Sequence, residues 1–158
     1  SEKKIIDEVI KLKEKGKIIG LCDGSFDLVH PGHLTHLQSA KKYCDILVVT
    51  IASDTHSHQR KGIGRPIYPA AIRSFFLMQL EAVDFVIFVD DLDHLLQIIE
   101  SIKVNYYIRG PDYADEKNKD MLRIKEILNQ WNGKIVYTND EKLSTTEIIR
   151  YIQKEVKN

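Results

Sequence analysis

Several things are scarce in this chain, and each scarcity excludes a class. Of 158 residues only two are cysteine, Cys22 and Cys44, each in or beside an apolar stretch and with no Cys-x-x-Cys spacing. That excludes a disulfide framework and points to a reducing cytoplasm. Net charge is also absent, because 23 Lys and Arg balance 23 Asp and Glu. The broad positive field with which nucleic-acid binders attract phosphate is therefore missing, and a local anion site is what remains. No run approaches the ~18 apolar residues of a membrane helix, and the opening Ser-Glu-Lys-Lys-Ile-Ile-Asp-Glu lacks the apolar core of a signal peptide. Internal repeats, low-complexity tracts and linkers rich in Pro, Gly or Ser are missing too, so a single domain is expected over 1–158, a leading helix at 1–16 followed by a core at 17–158.

What is present is ordinary globular material. The chain is 43% hydrophobic and 29% charged, and a domain of this size buries about 70% of its unfolded surface. Ile5, Ile6, Val9, Ile10 and Leu12 recur at near-helical spacing before Gly16. Residues 17–22 read as a strand, the stripe Leu34, Leu37 and Ala40 as a helix, and the β-branched run 45–52 as a strand covered on both faces. The polar stretch 53–69 reads as a loop long enough to be functional. Beyond it, helices are expected at 70–80, 92–102, 116–131 and 145–156, and strands at 83–89, 104–108 and 134–137. In the third strand Val83, Phe85, Ile87 and Phe88 read as sheet core. Such alternation implies an α/β fold, a doubly wound Rossmann-like parallel sheet with helices on both faces and ligands outside the carboxyl ends of its strands.

Four features fall just after the predicted strands: Gly24 to His33, the segment Arg60 to Arg65, Arg109 to Tyr113, and Ser144-Thr145-Thr146. Gly24 lets the backbone turn close to a ligand, and Pro31 suits the first position of a helix. The free amides of that helix start make a phosphate seat. His30 and His33 can both offer N–H donors to it; an accidental pair at a helix cap and a metal site are the alternatives, the latter short of ligands. His36 reads as structural, and His56, His58 and His94 as solvated. Arg109-Gly110 supplies a cation and a permissive backbone, Arg65 a further phosphate-binding cation, and Arg73 either a phosphate ligand or a solvated helix arginine. Ser144 with Glu147 three residues on is a capping-box pattern that can also bind phosphate.

The ten residues Gly24-Ser25-Phe26-Asp27-Leu28-Val29-His30-Pro31-Gly32-His33 resemble the G-[ST]-F-D-x-x-H-x-G-H signature of the nucleotidylyltransferase, or cytidylyltransferase-like, superfamily. The resemblance continues through Lys61-Gly62, Arg65-Pro66, Arg73, residues 80–84, Arg109-Gly110-Pro111-Asp112-Tyr113 and Ser144-Thr145-Thr146, covering 17–153. The later segments are most similar to heptose-phosphate adenylyltransferases. Two departures stand out: Asn139 occupies the position where glycerol-3-phosphate and choline-phosphate cytidylyltransferases carry arginine, and Arg109 the position where the heptose group carries lysine.

The resemblance implies transfer of a nucleoside monophosphate from an NTP, ATP favoured, to a sugar phosphate such as heptose 1-phosphate, with release of pyrophosphate. A CTP-dependent transfer to glycerol 3-phosphate, another alcohol phosphate or a phosphonate is the alternative, and a silent nucleotide-binding module a third. It also implies catalytic roles for His30, His33 and Lys61. Nucleotide contacts would come from Gly24, Ser25, Phe26, Asp27, Gly32, Arg109, Gly110, Asp112, Ser144, Thr145 and Thr146. Mg²⁺ bound mainly through the NTP phosphates, no protein metal cage, and a homodimer complete the expectation.

Overall fold

The computed structural model describes residues 1–110, 118–140 and 144–156. Its strands are β1 (Ile19–Gly24), β2 (Ile46–Ala52), β3 (Phe85–Val89), β4 (Tyr106–Arg109) and β5 (Lys134–Tyr137). All pair in parallel, in the order β3-β2-β1-β4-β5. The helices are α1 (Glu2–Glu14), α2 (Pro31–Lys41), α3 (Asp54–Lys61), α4 (Ala70–Met78), α5 (Leu92–Ile102), α6 (Lys119–Asn129) and α7 (Thr145–Glu155). This is the doubly wound α/β architecture that the alternating pattern requires.

Each face of the sheet has its own core. Leu21, Val48, Ile87 and Tyr107 turn toward α1, α5 and α6, where Val9, Leu95, Ile99, Ile124 and Leu128 pack against them. Cys22, Leu47, Val49, Ile51 and Ile108 turn the other way, toward Leu37 and Ala40 of α2 and Leu77 of α4. Neighbouring residues of one strand thus bury on opposite faces, which is why β1 and β2 read as continuous apolar runs.

The strand order reverses between β1 and β4. There β1 pairs with β2 along its whole length but with β4 only at Gly20 and Leu21, so the two strands part toward their carboxyl ends. A crevice at that place is where open α/β sheets take their ligands.

Three expectations need correction. Residues 53–69 are not all loop, since α3 occupies the first half. This helix is held by the Ser53 hydroxyl, which accepts from the His56 N–H at 3.3 Å, and it buries only Ser57, so no apolar period betrays it. Phe88 is 45% exposed rather than core, because β3 is an edge strand. The capping pattern of Ser144 is not used: α7 starts there without a side-chain cap, and the Thr145 hydroxyl instead donates to the Leu28 carbonyl at 3.2 Å.

Candidate active site

Between β1 and α2 the chain makes a tight excursion that brings two imidazoles face to face. His30 is the N-cap of α2, and its Nδ1 accepts from the Gly32 N–H at 3.1 Å. In return His33 Nδ1 accepts from the His30 N–H at 3.3 Å. This is a capping box built from two histidines in place of Ser and Glu. An Nδ1 that accepts carries no proton, so both rings are neutral and both carry their proton on Nε2. Burial lowers the pKa of His30. Burial, then the charges of His30, His36 and Lys61, push His33 down to about 3. The rings stack with centroids 3.8 Å apart, and His30 Nε2 is buried with no hydrogen-bond partner in the protein. The pair is a two-pronged neutral donor at a helix N-terminus.

The loop before it is tightly set. Phe26 has a positive φ of 48°, its ring is 5% exposed, and it lies 5.1 Å from the His33 ring. A Cβ on Gly24 would come within 2.8 Å of that ring, so the glycine makes room for Phe26. Left-handed backbone at a bulky residue is costly and persists where surroundings over-determine it.

Asp27 and Arg73 supply the over-determination. Asp27 is 3% exposed and reaches across to residues 65–68, where it pairs with Arg65 and accepts from the N–H groups of Ile67 at 2.5 Å and Tyr68 at 3.3 Å. Arg73, 1% exposed on α4, donates to Ser25 O and Ala52 O at 2.7 Å each, to Tyr68 O at 2.9 Å and to Asp54 Oδ1 at 2.8 Å. Arg73 is not a solvated helix arginine: its guanidinium is a buried tie that joins four segments and gives four N–H groups to the protein. Arg65 likewise holds the signature loop through Asp27, and Asp27 faces the protein and not an open ligand space.

Lys61 ends α3, and Gly62, with φ 88°, turns the chain away. Burial, then Arg65 and Arg60, lower the Lys61 pKa, and its charge reaches His33. On the other side Arg109 closes the switch point, with Nη1 donating to Asp23 O at 3.0 Å and to the Tyr107 hydroxyl at 3.3 Å. The Asp23 carboxylate lies 3.5 Å from the same nitrogen and accepts from Thr50 at 2.7 Å. Among the described residues, nothing lies within 4 Å of where a side chain on Gly110 would be. Asp112 lies outside the described residues. His36 is structural as expected, its Nδ1 2.7 Å from the Thr138 hydroxyl. His94 is not solvated, since its Nε2 meets Glu2 at 3.0 Å.

Beside Arg109 the crevice widens into a cavity of about 320 Å³. Asp23, Asp91, Asp120, His56, Arg60 and Arg109 line it. Asp91 and Asp120 do not stand out in the sequence, Arg60 does so only as the start of the Arg60 to Arg65 segment, and His56, expected to be solvated, lines the cavity instead. His56 and Arg60 are one helical turn apart on a helix with no apolar stripe, and Asp91 and Asp120 look like ordinary residues of a helix start.

The comparisons with known proteins agree with this geometry. A model of cytidylyltransferase-like proteins matches residues 21–151. The chain belongs to the cytidylyltransferase-like family. Membership makes it a nucleotidyltransferase-class domain. It is 37% identical over 156 residues to the bifunctional protein HldE of Campylobacter fetus, covering 96% of this chain and 32% of that one. To the HldE of Cronobacter sakazakii it is 32% identical over 154 residues, covering 98% and 32%. The chain thus spans about a third of the length of these curated relatives. Among solved structures, a lipopolysaccharide core biosynthesis protein from Thermoplasma volcanium superposes with a TM-score of 0.65 at 26% identity, over 80% of this chain and 99% of that one.

Proposed function

We propose that this domain transfers a nucleoside monophosphate, with ATP as the favoured donor, to a sugar phosphate of the heptose 1-phosphate type. A phosphate oxygen of the acceptor attacks the α-phosphorus, a new P–O–P linkage forms, the α–β anhydride bond breaks, and pyrophosphate leaves with the electron pair. The nucleophile arrives ionised, so no side chain has to take its proton. The work left to the protein is alignment and stabilisation of charge that develops on non-bridging and leaving oxygens.

The observation that carries this reading is the stacked pair His30 and His33, whose Nδ1 atoms are occupied by the backbone and whose Nε2–H groups are thereby fixed as donors. Being neutral and preorganised, they fit a phosphate whose charge grows in the transition state. Lys61 and Arg109 supply positive charge from either side, and the start of α7, with Thr145 and Thr146, is the proposed seat for the rest of the nucleotide. Mg²⁺ would be carried in on the phosphates. Among the described residues no three His, Cys, Asp or Glu side chains cluster as metal ligands, and the Asp23 carboxylate already serves Thr50 and Arg109. Bound in that way, the ion would neutralise phosphate charge and polarise the leaving group.

A homodimer belongs to the same proposal. The one charged residue of α4, Arg73, is buried, which leaves Ile72, Phe75, Phe76 and Met78 as an exposed and uncharged face for a second copy to cover. Sedimentation of the wild type and of Phe75→Glu tests it, with a dimer lost in the variant as the supporting result.

Pyrophosphate release decides the activity when ATP and CTP are crossed with heptose 1-phosphate, other sugar 1-phosphates and glycerol 3-phosphate. ATP with a sugar phosphate, turned over by the wild type and not by His33→Ala, supports the reading. Turnover with CTP alone moves the chain to cytidylyl transfer, and nucleotide binding without turnover on any of these acceptors refutes transfer to them and leaves another acceptor or a silent nucleotide-binding module.

A further inference from the structure

The sheet is split along the line where its order reverses. Beyond Leu21 and Tyr107, the last pair of β1 with β4, β1 runs on beside β2 to Gly24 and β4 runs on beside β5 to Arg109. One half then leads into His30, His33 and Lys61, the other into Gly110 and the start of α7. Ile19 O accepts from the Asn105 N–H at 2.9 Å, so the carbonyls of residues 19, 21 and 23 face β4, and a ladder continued in register would set the Arg109 N–H against Asp23 O. What Asp23 O receives instead is the Arg109 side chain, from Nη1 at 3.0 Å.

Resting on the nucleotidyl-transfer reading above, we infer that Arg109 is a positioning residue that wedges β1 from β4 and, with Asp23, sets the distance between the two halves across which the nucleotide is aligned. Three observations carry the inference.

The first is how the guanidinium is held. Nη1 gives its two hydrogens to Asp23 O and, at 3.3 Å, to the Tyr107 hydroxyl, with the Asp23 carboxylate 3.5 Å away. The guanidinium carbon lies over the Tyr107 ring, 5.9 Å from its centroid. A planar group bonded at its edge and backed by a ring keeps one orientation, which a lysine ammonium on its flexible stem does not.

The second is that the wedge is anchored on both sides. Asp23 Oδ1 accepts from the Thr50 hydroxyl of β2 at 2.7 Å while Oδ2 faces Arg109. Thr50, Asp23, Arg109 and Tyr107 thus form a polar chain across β2, β1 and β4, and Thr50, Tyr107 and Arg109 are all buried. A charge so placed needs its counter-charge, which makes Asp23 and Arg109 one unit.

The third is where the wedge acts. Asp23 immediately precedes the signature loop, and Arg109 precedes Gly110. On the α2 side the halves are drawn together by His36 with Thr138 at 2.7 Å, Ser39 with Asp140 at 2.8 Å and Thr145 with Leu28 at 3.2 Å. Those links hold the halves together, and the wedge keeps their strand ends apart. Misplacing reacting groups by about 1 Å can cost about 10²-fold in rate, so the width of this gap bears on kcat.

The test combines pyrophosphate release, binding of a non-hydrolysable ATP analogue with Mg²⁺, and amide hydrogen exchange. It uses the full chain as wild type, Arg109→Lys, Asp23→Asn, the double variant and Tyr107→Phe. Arg109→Lys, which keeps the charge and loses the fork, should lower kcat about 10- to 100-fold and leave the Kd of the analogue within about 3-fold. Asp23→Asn should fall by a similar factor, and the double variant no further than the slower single one, as for two residues of one unit. Exchange of amides 23–27 should quicken about 10-fold in Arg109→Lys, as for loss of one charge-assisted hydrogen bond. Should the charge variants fail to fold, Tyr107→Phe, which removes one acceptor and keeps the ring, decides on the same readouts, with kcat lower by about 3- to 10-fold. A Kd weakened more than about 10-fold with kcat unchanged would make Arg109 a nucleotide ligand and overturn the inference. So would single losses that multiply in the double variant, or unchanged exchange in Arg109→Lys. The reading beneath it fails separately: His33→Ala that releases pyrophosphate as fast as the wild type removes the transferase mechanism, while exchange still decides the wedge.

Discussion

The His30 backbone N–H donates to Nδ1 of His33, and this one 3.3 Å contact fixes the proton of the second imidazole on the atom that faces away from its own helix. Helix capping and the proposed phosphate recognition thus use the same ring, one nitrogen each. Removal of the ring by His33→Ala is expected to lower kcat about 10²–10³-fold. Asparagine at 33, which restores a cap acceptor without the distal donor, should recover stability and not rate. Steady-state kinetics beside thermal melts separate the two roles, and rate recovery in the asparagine variant would count against donation from Nε2.

Neutral histidines also shape the response to acid. Burial above all holds His33 down to about 3, while the unfolded chain titrates it near ~6.5. Between those values the unfolded chain binds a proton that the folded chain does not, so stability is full above about pH 6.5 and falls as the pH drops toward 3. His30 and His36, also lowered, act in the same direction. Calorimetric melts across that window should show Tm falling with acidity, with a shallower fall in His33→Gln. Identical slopes would mean that His33 is not held neutral.

Asp27→Ala should act through residues 65–68. Breaking a buried ion pair at one end typically costs about 3–5 kcal/mol, and here it also releases two backbone N–H groups. Denaturant titration measures the loss. A change under about 1 kcal/mol would show that Arg65 finds water when Asp27 is gone.

Gly24→Ala tests the packing of the signature loop. Its Cβ would meet the Phe26 ring at 2.8 Å, and that ring touches His33. Overpacking of this kind costs about 1–3 kcal/mol, and kcat should fall with it. A variant as stable and as fast as the wild type would indicate that the ring has room to move.

How much of this was legible follows from how local each feature is. The signature from Gly24 to His33 could be read because its ten residues are consecutive, and the strands because a short β-branched run suits a strand buried on both faces and little else. Asp27 and Arg73 could not be placed, since the partners of Asp27 lie 38 to 41 residues away and those of Arg73 up to 48, and nothing at either position announces a tertiary contact. Polar α3 escaped because periodicity reports burial, and a helix that buries only Ser57 has none to report. Ser144 offered a capping pattern that tertiary structure overrode, its neighbour Thr145 being tied to Leu28.

One guanidinium, that of Arg73, is bonded to the signature loop, the end of β2, the start of α3 and the approach to α4. These are the segments that surround the site. Their mutual arrangement is therefore completed when the sheet folds, and the conformational entropy of assembling them is lost then and not on each encounter with substrate. A nucleotide arriving at such a surface, as the proposed function requires, would give up its own freedom and little of the protein's.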